Sequence, residues 1–276
     1  MKEKLFVSFS GGETSGRMSY LLQTKYSSKF DLVFIFANTG QENEETLKFV
    51  NKCDKEFNLN VVWVEAVVNP IKGKGIRHKI VNFKTASRNG EPFEAVISKE
   101  GIPNRTSPHC SSRLKTLPIK DYIKSLGAKN YKMAIGIRTD EQKRVSKKAA
   151  ENGLIYPLID LVPNDKQDVN CFWEDQSFRL NLENHEGNCK TCWKKSDKKL
   201  WLIALESPER YNFMRKMEEE YRSVNEKRQE FFRGKRTTDT LIGEAQVMDA
   251  YTLRRMIGAD TDGNSGCSES CDGFSE

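Results

Sequence analysis

The chain has 276 residues and a formal charge of 45 − 39 = +6, with 37% hydrophobic and 30% charged residues. Its length fits one large domain, or one domain with a small appendage. No apolar run approaches the ~18 residues that a spanning helix needs, so a membrane protein is not expected, and the mild positive charge permits an anionic ligand or weak nucleic-acid contact without demanding either.

Met1 to Phe9 carries two lysines, and its apolar run is cut short by Ser10, Gly11 and Gly12. A secretory leader needs roughly 7–15 apolar residues, so the opening reads as a buried strand and the expected compartment is the cytoplasm. Leu5–Phe9, a small-residue turn and a helical pattern from Arg17 to about Lys25 (Met18, Leu21, Leu22) form the opening of a βαβ unit. Asp31 to Ala37 gives a second strand. Asn38-Thr39-Gly40 then leads to a helix that starts near Glu42, with Leu47, Val50 and Phe57 as its buried stripe and Glu42, Glu44 and Glu45 near its positive end. Asn60 to Ala66 gives a third strand and Tyr131 to Ile137 a fourth. Continuous apolar strands alternating with helices predict a parallel sheet covered on both faces.

Between Pro70 and Pro108 this pattern breaks down under repeated Gly and Pro, which predicts a functional insertion rather than an ordinary loop. Beyond Arg138 the chain turns helical and charged. Asp168 is the expected cap of a short helix holding Phe172 and Trp173, Pro208 to about Arg233 reads as one long helix, and Gly243 to Ile257 as another. Gly258 to Glu276 has the composition of a disordered tail, yet it carries Cys267 and Cys271.

Several constellations could carry chemistry. Ser10-Gly11-Gly12-Glu13-Thr14-Ser15 follows the first strand, where glycines, hydroxyls and a helix N-terminus suit a phosphate; the Gly-Lys-Ser/Thr ending of a Walker loop is absent. Phe36 to Glu42 ends the second strand and faces the same crevice. It is either a turn capped by Asn38 or Thr39, or, paired with the first loop, part of an adenosine pocket in which backbone groups at Phe36 bond the base. Pro108 to Pro118 puts Cys110 beside His109, Arg113 and Lys115 at a helix start, an environment that lowers a thiol pKa; His109 reads as a local hydrogen-bonding residue.

Seven cysteines are an odd number for a disulfide framework. Cys189-x-x-Cys192 fits one edge of a tetrahedral metal site, an iron–sulfur cluster or a redox dithiol. Cys53 and Cys171 are expected to be packing residues. The cations from Lys190 to Arg236, Lys195 among them, read as a solvated face, the alternative being a dock for a polyanion such as tRNA or DNA.

Jointly these motifs resemble the phosphoadenosine phosphosulfate (PAPS) reductase family of the adenine nucleotide alpha-hydrolase superfamily, in its bacterial and phage-type members. The residues that carry the resemblance are Ser10 to Ser15, Phe36 to Glu42, Ala86 to Phe93, Cys110-x-x-x-x-Lys115, Gly136-x-Arg138-x-Asp140-Glu141 and Gly187-Asn188-Cys189-x-x-Cys192. It covers about residues 4 to 200. It implies a Rossmann-like α/β domain over residues 1–160, with a five-stranded parallel sheet that binds ATP, PAPS or a related adenylate, and a helical, metal-binding C-terminal region over 161–276.

By the same resemblance Ser10, Gly11, Gly12, Thr14 and Ser15 hold phosphate or sulfate with Gly136, and Phe36, Asn38 and Thr39 hold adenine. Lys115, Arg138 and Arg144 are the anion-facing cations, with Lys115 and Arg138 as the catalytic candidates. Cys110, Cys189 and Cys192 fall on the cysteines that bind a [4Fe–4S] cluster in adenylylsulfate reductases. Ser111 replaces one ligand there, for which Cys267 or Cys271 could substitute; zinc could fill the same site. Two departures stand out. Thr14 replaces the Asp that goes with magnesium-assisted cleavage in the ATP pyrophosphatases, and the reductases' C-terminal Glu-Cys-Gly-x-His ending is absent.

Three functions follow as expectations. The first is an adenine-nucleotide-dependent enzyme of sulfur transfer or adenylation, the second a PAPS or adenylylsulfate reductase forming sulfite, and the third a nucleotide-sensing protein without catalysis, suggested by Glu13 and Thr14 in the loop. A thiol carrier, a nucleic acid and a second copy of the chain are the candidate partners.

Overall fold

The computed structural model describes residues 2–71 and 73–259. Strand β1 (Glu3–Ser8) leads into α1 (Glu13–Tyr26), β2 (Phe30–Asn38) into α2 (Glu44–Phe57), and β3 (Val62–Val68) into β4 (Ile76–Val81). Helix α3 (Glu91–Glu100) follows, then α4 (Leu117–Ser125), β5 (Lys132–Ala134), β6 (Leu154–Ile155) and the single turn α5 (Pro157–Asp160). Helices α6 (Lys166–Glu174), α7 (Asp197–Glu206), α8 (Asn212–Tyr221), α9 (Thr238–Ala245) and α10 (Ala250–Ala259) complete the described chain. Among the described residues no helix is long and apolar enough to cross a membrane.

The strands form one sheet in the order β4-β3-β2-β1-β5-β6. Five strands are parallel, as expected, and β4 adds an antiparallel edge to β3 through pairs such as Glu65 with Lys79. Alternation along each strand divides the apolar residues between two cores. Leu5, Val7, Phe34, Phe36 and Trp63 join the core under α1, α2 and α6. Phe6, Ile35, Ala37, Val64 and Met133 face Ile119, Tyr122 and Ile123 of α4. Burial on both faces is why these strands read as continuous apolar runs rather than alternating ones.

A third, helical core joins α3, α7, α8 and α9 through Phe93, Val96, Ile203, Tyr211, Met214 and Leu241. It takes in Ala66 of β3 and Ile76 of β4 and makes one wall of the site described below.

Several sequence expectations need correction. The stretch from Pro70 to Pro108 holds the regular elements β4 and α3, which its glycines and prolines punctuate rather than abolish. Gly90, at φ +91°, caps α3 where a Cβ would come within 2.3 Å of Phe213. Asp165, not Asp168, caps α6; Asp168 sits three residues on and closes a reciprocal capping box. The expected long helix from Pro208 breaks after Tyr221, and Glu218 then accepts from the N–H groups of Phe231 and Thr238, folding the following loop back on α8. Gly243 to Ile257 is two helices, α9 and α10, rather than one. Cys53 is core, but Cys171 is exposed on α6, while its neighbours Phe172 and Trp173 do the packing.

Trp173 ties α6 to the start of α1. Its ring stacks on Phe49 at 4.9 Å, its Nε1 donates to the Glu13 carbonyl at 3.0 Å, and a Cβ on Gly16 would meet it at 2.8 Å. Trp173→Ala is expected to lower stability by about 3–5 kcal/mol, read as a fall in the denaturant midpoint.

Candidate functional site

The sheet order runs from β1 to β2 and β3 on one side and to β5 and β6 on the other. The carboxyl ends of β1 and β5 therefore flank a topological switch point, where ligands of open α/β sheets bind. After β1 the chain turns through Phe9 to Gly12. Gly11 takes φ +87°, and a Cβ there would meet Thr46 at 2.7 Å and Phe36 at 3.1 Å. Gly12 is the N-cap of α1 and makes no side-chain cap bond, so the first N–H groups of the helix keep their capacity for an anion. Ser10 Oγ donates to Ser15 Oγ at 3.0 Å, and Ser15 Oγ to the Gly12 carbonyl at 2.9 Å. The Glu13 carboxylate is bound by Arg179 at 3.0 and 3.1 Å and by the Leu180 N–H.

From the β5 side, Gly136 passes so close to α1 that a Cβ would lie 3.1 Å from Ser15 Cα. Two residues on, Arg138 reaches the loop. Its Nη1 donates to Thr14 Oγ1 at 3.0 Å, while Nε and Nη2 grip Asp140 at 3.0 and 3.2 Å. Burial would raise the Asp140 carboxyl, but the hydrogen bond and charge of Arg138 outweigh it and hold the group below its ordinary value. Arg144 is paired with Glu141, which also lies 3.7 Å from Arg138.

The end of β2 forms the next wall. The Phe36 ring is buried against Trp63 at 4.7 Å. Asn38 does not cap α2, whose N-cap is Asn43; its Nδ2 donates to Glu65 at 2.6 Å and to the Ser87 carbonyl at 2.9 Å. Thr39 donates from its N–H and its hydroxyl to the buried Glu42 carboxylate, each at 2.9 Å.

The segment carrying the cysteine pair lies across both loops. Asn188 Nδ2 donates to the Ser10 carbonyl at 2.9 Å, the Asn43 N–H donates to the Asn188 carbonyl at 2.7 Å, and the Lys190 N–H donates to the Gln41 carbonyl at 2.9 Å. Cys189 Sγ sits 3.9 Å from Glu42 Oε1. Lys195, expected on a solvated face, is 1% exposed, and its Nζ donates to the Cys189 carbonyl at 2.6 Å.

Cys110, Cys189 and Cys192 line one cleft, together with Thr39, Gln41, Lys115, Lys194 and an apolar wall of Phe93, Leu114, Trp193, Phe213 and Met214. Cys110 precedes a π-helical turn, Ser112–Thr116, which swings Lys115 into the same cleft. His109 Nδ1 donates to the Ser107 carbonyl at 3.0 Å, and burial pushes its pKa down. The thiols are soft donors suited to iron–sulfur or zinc. Among the described residues, however, no three His, Cys, Asp or Glu side chains stand together as a ligand set, so the sulfurs share a wall without closing on one point. Cys267 and Cys271 lie outside the described residues.

The sequence model of the phosphoadenosine phosphosulfate reductase domain matches residues 4–153. The nin region protein ORF290 of Escherichia phage lambda is 33% identical over 202 residues, 72% of this chain and 68% of that protein. The chain belongs to the PAPS reductase family. A Methanocaldococcus jannaschii protein is 31% identical over 164 residues, 56% of this chain but only 32% of its own length. A solved PAPS reductase from Candida auris, in a phosphate complex, overlays with a TM-score of 0.39 at 16% identity, covering 64% of this chain and 75% of that one.

In this PAPS reductase-family chain the first loop, Gly136 and Arg138 come together at the switch point, and Cys110, Cys189 and Cys192 meet Lys115 in the neighbouring cleft. Arg144 is joined to them through Glu141. Of the cations read as a solvated face, with a polyanion dock as the alternative, several are paired with carboxylates: Arg215 with Asp239, Lys216 with Glu94, Arg222 with Glu230, and Arg236 with Asp197 and Glu244. Phe213 and Met214 gave no sequence signal as site residues, because they reach the cleft only through the packing of α8. Asn188 had a signal in its place before the cysteine pair.

Asn188→Ala removes a buried amide from the Ser10 carbonyl. The expected cost is about 1 kcal/mol of stability, read by denaturation, with a several-fold loss of ligand affinity at the loop, read by calorimetry.

Proposed function

We propose that the chain is an adenine-nucleotide-dependent enzyme of sulfur chemistry, with the nucleotide's anionic end at Ser10 to Ser15 and its adenine along Phe36 to Thr39. One observation carries this reading: the Asn188–Cys192 segment is hydrogen-bonded to the carbonyls of Ser10 and Gln41, so the thiol cleft and the two loops share one frame.

In the reaction this arrangement suits, a substrate oxygen attacks the α-phosphorus of ATP. The bond to the bridging oxygen breaks, pyrophosphate leaves, and a sulfur donor then displaces AMP from the adenylated substrate. The N–H groups at the start of α1 and the Arg138 guanidinium stabilise the negative charge that develops on the phosphate oxygens. Lys115 offers a cation to an anionic sulfur in the cleft. Cys110, Cys189 and Cys192 do not form a ligand set as they stand; drawn together from their shared wall, with Cys267 or Cys271 as further donors, they would hold an iron–sulfur cluster or zinc. Such a group would supply redox or sulfur-donating chemistry; the binding and charge stabilisation described here belong to the protein's own residues. Magnesium would reach the phosphates through the nucleotide itself, since Thr14 offers a hydroxyl where a carboxylate would bind the ion.

Thr14 also favours a second reading, sulfonucleotide reduction. A thiolate attacks the sulfur of PAPS, the S–O bond breaks, adenosine 3′,5′-bisphosphate leaves, and a thiol carrier such as thioredoxin releases sulfite as a disulfide forms. Of Glu13 and Thr14, the motives for a non-catalytic reading, Glu13 is bound by Arg179 and the Leu180 N–H, which weakens its share of that motive.

Calorimetry with ATP and with PAPS tests the proposal. The wild type is expected to bind at least one of them, and Arg138→Ala to bind about tenfold or more weakly, the scale of a lost charge-assisted hydrogen bond; binding of neither ligand by the wild type would overturn it. Anaerobic absorption with iron, sulfide and zinc analysis tests the metal: a broad band with iron and sulfide identifies a cluster, stoichiometric zinc the alternative, and neither removes the metal from the proposal.

A further inference from the structure

Strand β3 carries one residue that its surroundings should refuse. Glu65 lies between Val64 and Ala66, is wholly buried, and takes no part in the chemistry above. Buried carboxylates persist where hydrogen bonds and an opposite charge satisfy them. Glu65 has four such contacts: Asn38 Nδ2 at 2.6 Å, the Ser87 N–H at 2.6 Å, the Ser87 hydroxyl at 2.9 Å, and Lys79 Nζ at 2.9 Å.

These contacts gather three segments that are remote in sequence. Asn38 ends β2 and opens the Thr39–Glu42 turn, Lys79 lies on the edge strand, and Ser87 belongs to the loop before α3. Asn38 closes the triangle by donating to the Ser87 carbonyl at 2.9 Å and accepting from the Gly40 N–H at 3.3 Å. The loop then meets the turn so closely that a Cβ on Gly40 would lie 2.9 Å from Gly90 Cα. Lys190, beside the cysteine pair, donates from Nζ to the Arg88 carbonyl at 3.1 Å.

We infer that Glu65 is a positioning residue for nucleobase selectivity. By fixing the Asn38 amide and the 86–90 loop, it sets the wall that discriminates adenine from other bases, without touching the ligand itself. The inference rests on the adenine-nucleotide reading above and adds to it the residue that shapes the base side. The charge matters as well as the shape. Asn38 Nδ2 and the Ser87 N–H share one carboxylate oxygen, and the Ser87 hydroxyl and Lys79 Nζ share the other. A glutamine has one oxygen for these two sets of donors, so its NH2 group faces either the Asn38–Ser87 pair or Lys79, and the charge that balances Lys79 is gone.

The test compares the adenosine and guanosine forms of the nucleotide that the wild type binds (ATP and GTP, or PAPS and its guanosine counterpart), by calorimetry on the full chain. The wild type is expected to prefer the adenosine form by at least about tenfold, and Glu65→Gln to cut that ratio to near unity. Ser87→Ala, which removes one hydroxyl donor to Glu65 from a partly exposed loop, is expected to reduce it about threefold and carries the test if Glu65→Gln does not fold. A general loosening of the protein lowers both affinities alike and leaves the ratio standing. An unchanged ratio in the folded variants, or a wild type without base preference, overturns the inference while leaving nucleotide binding intact. A wild type that binds neither form overturns the nucleotide reading, and this inference with it.

Discussion

The site depends on one hydrogen bond between parts of the chain 178 residues apart, from the Asn188 amide to the Ser10 carbonyl. Ser10 belongs to the turn after the first strand, and Asn188 precedes the cysteine pair. The backbone of Asn188 also accepts from Asn43 at the start of α2. A parallel sheet brings the loops after β1, β2 and β5 to one edge as a matter of topology, but nothing in that topology brings the Cys189–Cys192 turn to the same edge. The amide does so, together with the bonds of Asn43 to the Asn188 carbonyl and of Lys190 to the Gln41 carbonyl. They join the Ser10–Ser15 loop and the thiol cleft in one frame.

Charge around this frame is held rather than solvated. Arg138 is set by Thr14 and Asp140, Glu42 by Thr39, Glu65 by Asn38, Ser87 and Lys79, and Lys195 by the Cys189 carbonyl. Each group is costly to bury alone and tolerable when satisfied. The result is a set of side chains that need little reorganisation when a charged ligand arrives, which is the condition under which fixed dipoles stabilise developing charge. Glu13 shows the converse. It sits in the loop sequence where an anion would repel phosphate, and Arg179 together with the Leu180 N–H engages it instead.

How much of this was legible in the sequence follows from the range of the forces involved. The strands were readable because burial on both sheet faces demands unbroken apolar runs, and the Ser10–Ser15 turn because a tight strand-to-helix connection demands small residues. Breakers misled in both directions. Gly90 and Pro92 looked like the end of regular structure, but they begin α3. The charged stretch from Pro208 looked like one helix, but the buried Glu218 turns the chain back after Tyr221. Lys195 and Cys171 were misplaced for one reason: residue type suggests an average environment, whereas a carbonyl at hydrogen-bond distance, or a neighbour such as Trp173 that takes the core position, decides the actual one. Glu65 left no mark at all, since its partners come from three separate segments.

The position of the cleft explains why thiols and apolar side chains meet there. Phe93, Leu114, Trp193 and Met214 belong to the helical core, while Thr39 and Gln41 belong to the sheet's loops. The cleft is thus the seam between two cores, and each contributes what it has: the loops bring polar backbone, the helices bring a dry wall. In such a seam electrostatic attraction is stronger than in bulk water, so the anionic sulfur of the proposed reaction would feel Lys115 and Lys194 more strongly than at an open surface. A sulfur species at this seam would be screened from water on the helical side and exposed to the nucleotide loops on the other, an asymmetry that points its reactivity toward the phosphate end of the site.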